Sequence, residues 1–304
     1  MVEIIKPLLK WVGGKTQIIN DVVELIPKEM NNYHEPFIGG GSVLFAVLSY
    51  KNYGELEING SIYASDINKN LIHFYKNIQS DVNGVISELK KIISEFNEIK
   101  GTTVNRLASN ISEGLTSPES YYYWIRRSFN NLTDVERNSE RATAMLIFMN
   151  KTCFRGVYRE GPNGFNVPYG NYKRPYIIDE QHIRDVSQLI EDVIFTCRDF
   201  QESIEEVDND NDFIYLDPPY APENTSSFVS YTSKGFDANN HKTLFKICNE
   251  LSCKILMSNA DVKLVRDAFT DGFVTKTISC RRAINSKDPA SSTNEVLITN
   301  YVLE

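Results

Sequence analysis

Phe213-Ile214-Tyr215-Leu216-Asp217-Pro218-Pro219-Tyr220 decides how this chain folds. An apolar run closed by an acid and two prolines reads as a buried strand that stops abruptly at a sheet edge. Proline lacks an N–H and fixes φ, so the chain must leave the sheet at Asp217. A carboxylate, a rigid backbone and an aromatic ring then stand at a strand's carboxyl end, the edge where open α/β sheets bind ligands. Asp-Pro dipeptides also open ordinary turns, so the weight of this stretch depends on the rest of the chain.

Other β-branched runs fall in two separated blocks. The first holds the segment ending at Phe37 and Ser61–Ser65; the second holds Val193–Cys197, the run before Asp217, Lys254–Ser258, Val274–Ile278 and Glu295–Thr299. Helical periodicities lie between them. Gly41 to Tyr50 predicts a turn opening a short helix with Val43, Leu44, Val47 and Leu48 inward, and Asn68 caps a helix carrying Leu71, Tyr75, Ile78 and Val82. Arg141 to Lys151 predicts another. Strands alternating with helices at both ends imply an α/β fold with a mostly parallel, helix-covered sheet. The middle is helical and loop-rich without a clear strand, and its polar residues 100–119 read as a loop. The expected domains are therefore a discontinuous sheet domain, residues 1–75 and 181–304, and an inserted lobe, residues 76–180.

The 304 residues are enough for a substantial core, and 41% hydrophobic with 24% charged residues is an ordinary globular composition. No apolar run approaches the roughly 18 residues of a membrane span. The opening Met1–Pro7 lacks the regions of a signal peptide. The five cysteines are scattered, without zinc or redox spacing, and read as reduced thiols of a cytoplasmic or other reducing intracellular compartment. With four histidines in no ligating pattern, no metal is implied. The net charge of −8 argues mildly against nucleic-acid binding over the whole surface. One face matters more than the total, however. Lys151, Arg155, Arg159, Lys173 and Arg174 gather in one stretch against Glu160, and Arg281, Arg282 and Lys287 in another.

Glu35-Pro36-Phe37-Ile38-Gly39-Gly40-Gly41-Ser42 is a glycine-rich turn between a strand and a helix. Asp66 ends the next strand, where an acid holds ribose hydroxyls or simply caps a helix. The pattern is not G-x-G-x-x-G and no Walker lysine follows, which favours a nucleoside ligand without a pyrophosphate over NAD or ATP. Lys10-Trp11-Val12-Gly13-Gly14-Lys15 reads either as a surface turn or as a place where lysines meet a carboxylate.

Taken in order, these elements resemble the DNA adenine-N6 methyltransferases of the GATC-methylating, Dam-like type, with cofactor motifs first and target recognition between. The likeness covers nearly the whole chain. It rests on the Lys-Trp-x-Gly-Gly-Lys segment, the Glu-Pro-Phe-x-Gly-Gly-Gly-Ser turn, Ser65-Asp66-Ile67-Asn68, Phe165-Asn166-Val167-Pro168-Tyr169-Gly170 and Asp217-Pro218-Pro219-Tyr220, continued by Ala221-Pro222 and Phe228-x-x-Tyr231. It implies a Rossmann-like methyltransferase sheet with an inserted target-recognition lobe, and S-adenosylmethionine as cofactor. Lys10, Trp11, Lys15, Glu35, Phe37, Gly39, Gly41, Ser42 and Asp66 would form the cofactor site, with Lys15 near the carboxylate of its amino acid part and Asp66 on its ribose. Asp199 and Phe200 would flank its adenine, although an ordinary strand exit reads the same.

The resemblance further implies that Asp217 and the Pro218 carbonyl bind the amino group of a flipped-out adenine and that Tyr220 stacks on it. Lys151, Phe154, Arg155, Val157, Arg159, Asn166 and Pro168 would meet duplex DNA, with Arg159 reading a guanine and Phe154 wedging into the stack. Arg155 departs from the family, where Asn before the glycine is usual, so the target is GATC or a related four-base site. Arg281 and Asn285 are candidate backbone contacts, and Ser226 to Gly235 would order over the extruded base. A cognate restriction endonuclease fits this class; the oligomeric state is not legible. The acid-Pro-Pro-aromatic chemistry also serves cytosine N4, RNA or a glutamine amide, but Asp at 217 and the match through the middle favour adenine in DNA. A nucleotide-dependent oxidoreductase would leave Asp217-Pro218-Pro219-Tyr220 unexplained, and the intact motifs speak against a silent DNA-binding relative.

Overall fold

A computed structural model of the chain describes residues 2–207, 209–222, 236–281 and 292–302. Ser226 to Gly235, Arg282, Asn285 and the side chain of Arg281 lie outside the described residues. Two compact units form. One comprises Met1–Ile4, Lys15–Ile67 and Asp192–Glu304; the other comprises Ile5–Gly14 and Asn68–Glu191.

In the first unit lie β1 (Glu29–Met30), β2 (Tyr33–Glu35), β3 (Glu57–Ile58), β4 (Ile62–Asp66), β7 (Val193–Cys197), β8 (Phe213–Leu216), β9 (Lys254–Ala260), β10 (Val274–Arg281) and β11 (Ser292–Thr299). The second holds the short strands β5 (Glu160–Gly161) and β6 (Gly164–Phe165). Seven strands form one sheet in the order β10-β11-β9-β8-β2-β4-β7. The pairs among β9, β8, β2, β4 and β7 are parallel, while β11 pairs antiparallel with both β9 and β10. Mixed α/β architecture around a mostly parallel sheet is therefore what the chain adopts.

Burial explains the strand types. All four residues of β8 are fully buried, as a central strand covered on both faces requires. The edge strand β7 instead alternates, with Val193 and Phe195 buried and Ile194 exposed. The order reverses between β2 and β8: successive parallel strands run outward to β4 and β7 on one side and to β9 on the other. Ligands bind at such switch points in open α/β sheets. At the opposite, amino-terminal edge, fully buried Asp212 accepts from the Asn31 amide (2.9 Å), the Asn32 backbone N–H (3.0 Å) and the Asn32 amide (3.2 Å). It also meets His34 Nε2 at 3.1 Å. This network fixes the start of β8 against β2 and so sets the register of their other ends.

The first unit's helices are α1 (Ile19–Val23), α2 (Ser42–Asn52), α10 (Phe200–Ile204), α11 (Ala238–Glu250) and α12 (Lys263–Ala268). Helix α2 buries every residue from Ser42 to Ser49, more than the expected inward stripe, because it is apolar on all sides. Core packing on one face of the sheet joins Ile214, Leu216, Leu244, Phe245, Ile255, Met257, Val296 and Ile298, with Cys248 and Cys253 as small apolar members.

The second unit carries α3 (Lys69–Ser80), α4 (Val82–Glu98), α5 (Ile111–Gly114), α6 (Pro118–Asn130), α7 (Asp134–Arg137), α8 (Glu140–Thr152) and α9 (Glu180–Leu189). Asn68 caps α3 as expected, accepting the Leu71 N–H at 3.1 Å. Val82, expected on the same helix, begins α4 instead, because Asp81 caps Gly84 N–H and starts a new helix. The stretch 100–119 is not all loop: Asn110 caps α5, and Ser117 followed by Pro118 opens α6. Between α8 and α9 the β5–β6 hairpin appears, too short for a period-2 pattern to reveal. Among the described residues no helix is long and apolar enough to cross a membrane.

Candidate active site

The prolines end β8 at Leu216 and leave Asp217 at the switch point beside the end of β2. Lys15 Nζ lies 2.6 Å from Asp217 Oδ1 and 2.7 Å from Oδ2. Lys15 is itself buried, its backbone N–H donating to Ser42 Oγ at 2.9 Å. The same ammonium stands 4.8 Å from the centroid of the Tyr220 ring. At its far end Tyr220 donates its hydroxyl to Glu295 Oε2 at 2.7 Å. Lys15, distant in sequence, thus joins Asp217 and Tyr220 in one constellation.

Two further carboxyls shape its electrostatics. Burial pushes the Asp217 carboxyl up to about 6, against the pull of Lys15 and with a further push from Glu295. Glu35, the last residue of β2, is driven up to about 8 by burial, opposed by the hydrogen bond from Tyr33 and raised further by Asp217. Tyr33 donates to Glu35 Oε2 at 2.6 Å. At neutral pH the two acids therefore differ: Glu35 keeps its proton, while Asp217 is the carboxylate paired with Lys15. Burial also holds the Tyr220 hydroxyl well above its ordinary range, so it remains a donor.

Beside this cluster runs the glycine turn. Gly39 (φ 48°) and Gly41 (φ 77°) adopt the left-handed backbone that glycine accommodates without strain. The Gly39 N–H donates to Asp66 Oδ2 at 3.1 Å and the Ile38 N–H to the Ser65 carbonyl at 3.0 Å, which ties the turn to the end of β4. Phe37 stacks on buried Phe200 with centroids 5.6 Å apart, and Phe236 closes the aromatic group at 5.9 Å from Phe37. Asp199 caps α10 by accepting the Gln201 N–H at 2.9 Å, the local role its position at a strand exit also allows. The donor set suits a nucleoside with an amino acid tail: a carboxylate at the end of β4, aromatic faces, and a turn with left-handed glycines for close approach.

Other expected residues belong to the second unit. Trp11 stacks on Tyr158 at 4.6 Å, and exposed Lys10 exchanges backbone hydrogen bonds with Asn150, each at 2.9 Å. Tyr158 is bonded to Glu160, and Asn70 donates to both, at 3.1 and 3.0 Å. Arg159 Nε donates to Asn166 Oδ1 at 2.6 Å, and the Asn166 N–H returns to the Arg159 carbonyl at 3.0 Å. Phe154, Arg155, Arg159, Asn166 and Pro168 are exposed, Val157 and Lys151 half-buried. Arg155 takes φ 60°, with its guanidinium 5.2 Å from the Phe154 ring centroid and its N–H on the Tyr172 hydroxyl at 2.9 Å.

Sequence reasoning missed the residues that hold these groups. Ser258 and Asn259 on β9 grip both flanks of the motif: Tyr215 and Ser258 hydroxyls lie 2.5 Å apart, and the Ala221 N–H donates to Asn259 Oδ1 at 3.0 Å. Two buried polar residues after Ile255-Leu256-Met257 were the available signal. In the second unit, Tyr122 and Arg126 both donate to the Val167 carbonyl, at 2.8 and 3.1 Å, and Asn130 pairs with the Phe165 backbone at 2.9 Å in each direction. Their four-residue spacing puts them on one face of α6. Gly164 is required there, with φ 85° and a Cβ position only 2.6 Å from Asn130 Oδ1.

The profile of the D12 class N6 adenine-specific DNA methyltransferases matches residues 11–284. Over 98% of this chain and 99% of the other, the sequence is 38% identical to the Type II methyltransferase M.MjaIII of Methanocaldococcus jannaschii. It is 29% identical to the Type II methyltransferase M1.LlaDCHI of Lactococcus lactis over 98% of this chain and 96% of that protein. It is also 29% identical to the DNA adenine methylase of Haemophilus influenzae over 92% and 88%. A match of this extent, on a chain whose Asp-Pro-Pro-Tyr segment stands at the switch point of a mostly parallel sheet, decides between the readings left open by the motifs: the chain belongs to the D12 class of N6 adenine-specific DNA methyltransferases.

Proposed function

We propose that Asp217, Pro218 and Tyr220 hold a flipped adenine at the carboxyl end of β8 for methylation at N6, and that the second unit selects the surrounding DNA sequence. One observation carries this reading: the ion pair between Lys15 and Asp217, with distances of 2.6 and 2.7 Å, favours the ionised form of a half-buried carboxylate beside the two-proline exit. S-adenosylmethionine supplies, when bound, a methyl group activated by its sulfonium. Asp66, Phe37, Gly39, Gly41, Ser42 and Phe200 are the residues that would hold it, with Lys10, Trp11, Glu35 and Asp199 as the family's further candidates.

Adenine N6 is a weak nucleophile because its lone pair is delocalised into the ring. The Asp217 carboxylate and the Pro218 carbonyl would each accept one N–H, which favours a pyramidal nitrogen with its lone pair released. Fixed acceptors aimed at the amino group supply positioning and charge stabilisation together. Tyr220 would stack on the base by the ring face away from Lys15. Stacking worth about 1–3 kcal/mol offsets part of the few kcal/mol of extrusion. Forming the N–C bond leaves N6 with a proton to shed, and Asp217, ionised above about pH 6, is the adjacent acceptor.

For the target, Arg159 is the candidate guanine reader. Asn166 occupies its Nε and so leaves the two terminal nitrogens for a bidentate contact. Exposed Phe154 and Arg155 belong to the same segment, and the Tyr122 and Arg126 side chains of α6 hold the Val167 carbonyl just before Pro168. The site would be GATC or a four-base relative, within double-stranded DNA. Asp217→Ala tests the central assignment: methyl transfer should vanish while calorimetric binding of S-adenosylmethionine persists, and retained turnover would refute it.

A further inference from the structure

We propose that Glu295 is a positioning residue for methyl transfer, fixing the Tyr220 ring at its hydroxyl end while Asn259 holds the chain just after it, at the Ala221 N–H. The proposal rests on the catalytic role given above to Asp217-Pro218-Pro219-Tyr220. Glu295 stands within the sheet, paired across β11 with Ala260 of β9 and with Ile278 of β10. Its Oε2 takes the Tyr220 hydroxyl at 2.7 Å, and the same carboxylate helps burial raise the Cys280 thiol. At the other end, Asn259 Oδ1 takes the Ala221 N–H at 3.0 Å and the Ala260 N–H at 2.9 Å. Two donors facing one oxygen fix which way that amide points. Asn259 is fully buried, and its Nδ2 has no hydrogen-bond partner among the described residues. A buried amide with an unmet donor is retained for what its oxygen does.

The prolines contribute no N–H, so among the described residues these contacts hold the far side of the motif. With both ends pinned, the ring is a preformed platform, and a base stacking on it does not have to order it first. A phenol donating to a carboxylate is also more electron-rich, which strengthens the attraction to Lys15 4.8 Å from the ring centroid. The Glu295 charge further faces Asp217, which is paired with Lys15 and in turn raises Glu35 on β2; Tyr215 and Tyr220 sense both Asp217 and Glu295.

Glu295→Ala, Glu295→Gln, Tyr220→Phe and the Glu295→Ala/Tyr220→Phe double variant test this through methylation kinetics on duplex DNA across pH. Glu295→Ala should lower kcat about three- to tenfold, the cost of ordering one freed side chain, with KM for S-adenosylmethionine unchanged. Tyr220→Phe should lose as much, and the double variant no more than either alone. Glu295→Gln keeps an acceptor oxygen but not the charge, so kcat at alkaline pH should be nearly retained while the acid limb moves to lower pH. A purely structural role would leave that limb in place. Wild-type kcat in Glu295→Ala, additive losses in the double variant, or an unmoved acid limb would each overturn the proposal. Should Glu295→Ala fail to fold, Glu295→Gln and Tyr220→Phe decide alone. An active Asp217→Ala enzyme would instead remove the underlying assignment, whereas wild-type kinetics in Glu295→Ala with an inactive Asp217→Ala removes only the role of Glu295.

Discussion

Replacing Lys15 by methionine takes away the ammonium while keeping an unbranched side chain of similar length. Asp217 then faces Glu35 and Glu295 without the cation that now sits 2.6 Å away. Leaving a buried charge unpaired costs about 3–5 kcal/mol, so taking up a proton is the cheaper course. The Asp217 carboxyl stands at about 6 with Lys15 in place. Without it, burial and the Glu295 charge hold the proton to a higher pH.

The consequence for stability follows from linkage. A carboxyl whose folded value lies above its unfolded value of about 3.9 contributes stability that is complete at low pH. That stability is lost, at about 1.4 kcal/mol per pH unit, as pH rises to the folded value. In the wild type this loss ends near pH 6; in Lys15→Met it continues upward. The stability gap between the two proteins should therefore widen by about 3 kcal/mol between roughly pH 6.5 and roughly pH 8.5. Urea unfolding followed by fluorescence across that range, without cofactor, measures it, and kcat profiles should show the acid limb moving up by the same displacement. Parallel stability curves, or an unmoved limb, would show that Lys15 does not govern the ionisation of Asp217.

Two other outcomes follow from named contacts. Glu35, held up to about 8 by burial, keeps its proton in the fold and loses it on unfolding at neutral pH, so it too makes stability fall as pH rises toward 8. Glu35→Gln should flatten that decline in pH-dependent urea unfolding; an unchanged slope would place its ionisation elsewhere. Arg159→Ala should weaken binding to the preferred duplex by about 1–3 kcal/mol and relax the choice at one base pair, whereas equal losses on all sequences would make Arg159 a phosphate contact.

The segment Phe213–Tyr220 was legible because its signals are local: an apolar run buried on both faces, then residues that cannot continue a ladder. The strands at 193–197 and 213–216 fall where β-branched runs predict them. The Asn68 cap is equally local. What the sequence concealed depends on register between distant strands. Glu295 and Asn259 look like ordinary strand residues until β11 and β9 bring them to Tyr220 and Ala221. Lys15 also pairs with Asp217, a partnership no spacing along the chain could reveal. Trp11 illustrates the same limit: it shares a motif with Lys15, but it packs on Tyr158 in the other compact unit.

Arg155 shows how a sequence departure and a backbone outlier inform each other. Asn, the residue that the resemblance to GATC-methylating enzymes leads one to expect here, is among those that enter the left-handed region most readily. Arginine at φ 60° has no such preference, and holding it there costs on the order of 1 kcal/mol. The surrounding loop enforces the conformation. Phe154 N–H is bonded to the Pro168 carbonyl at 2.8 Å, Arg155 N–H to the Tyr172 hydroxyl at 2.9 Å, and Gly156 N–H to the Cys153 carbonyl at 3.1 Å. Those bonds are all made by backbone groups or neighbours, so none of them needs the guanidinium. The guanidinium instead lies over exposed Phe154, in the segment that carries Arg159. Strain that persists where the backbone would be eased by another residue is the signature of a side chain kept for what it contacts. We therefore propose Arg155, exposed in the same segment as Arg159, as the position at which target choice departs from GATC.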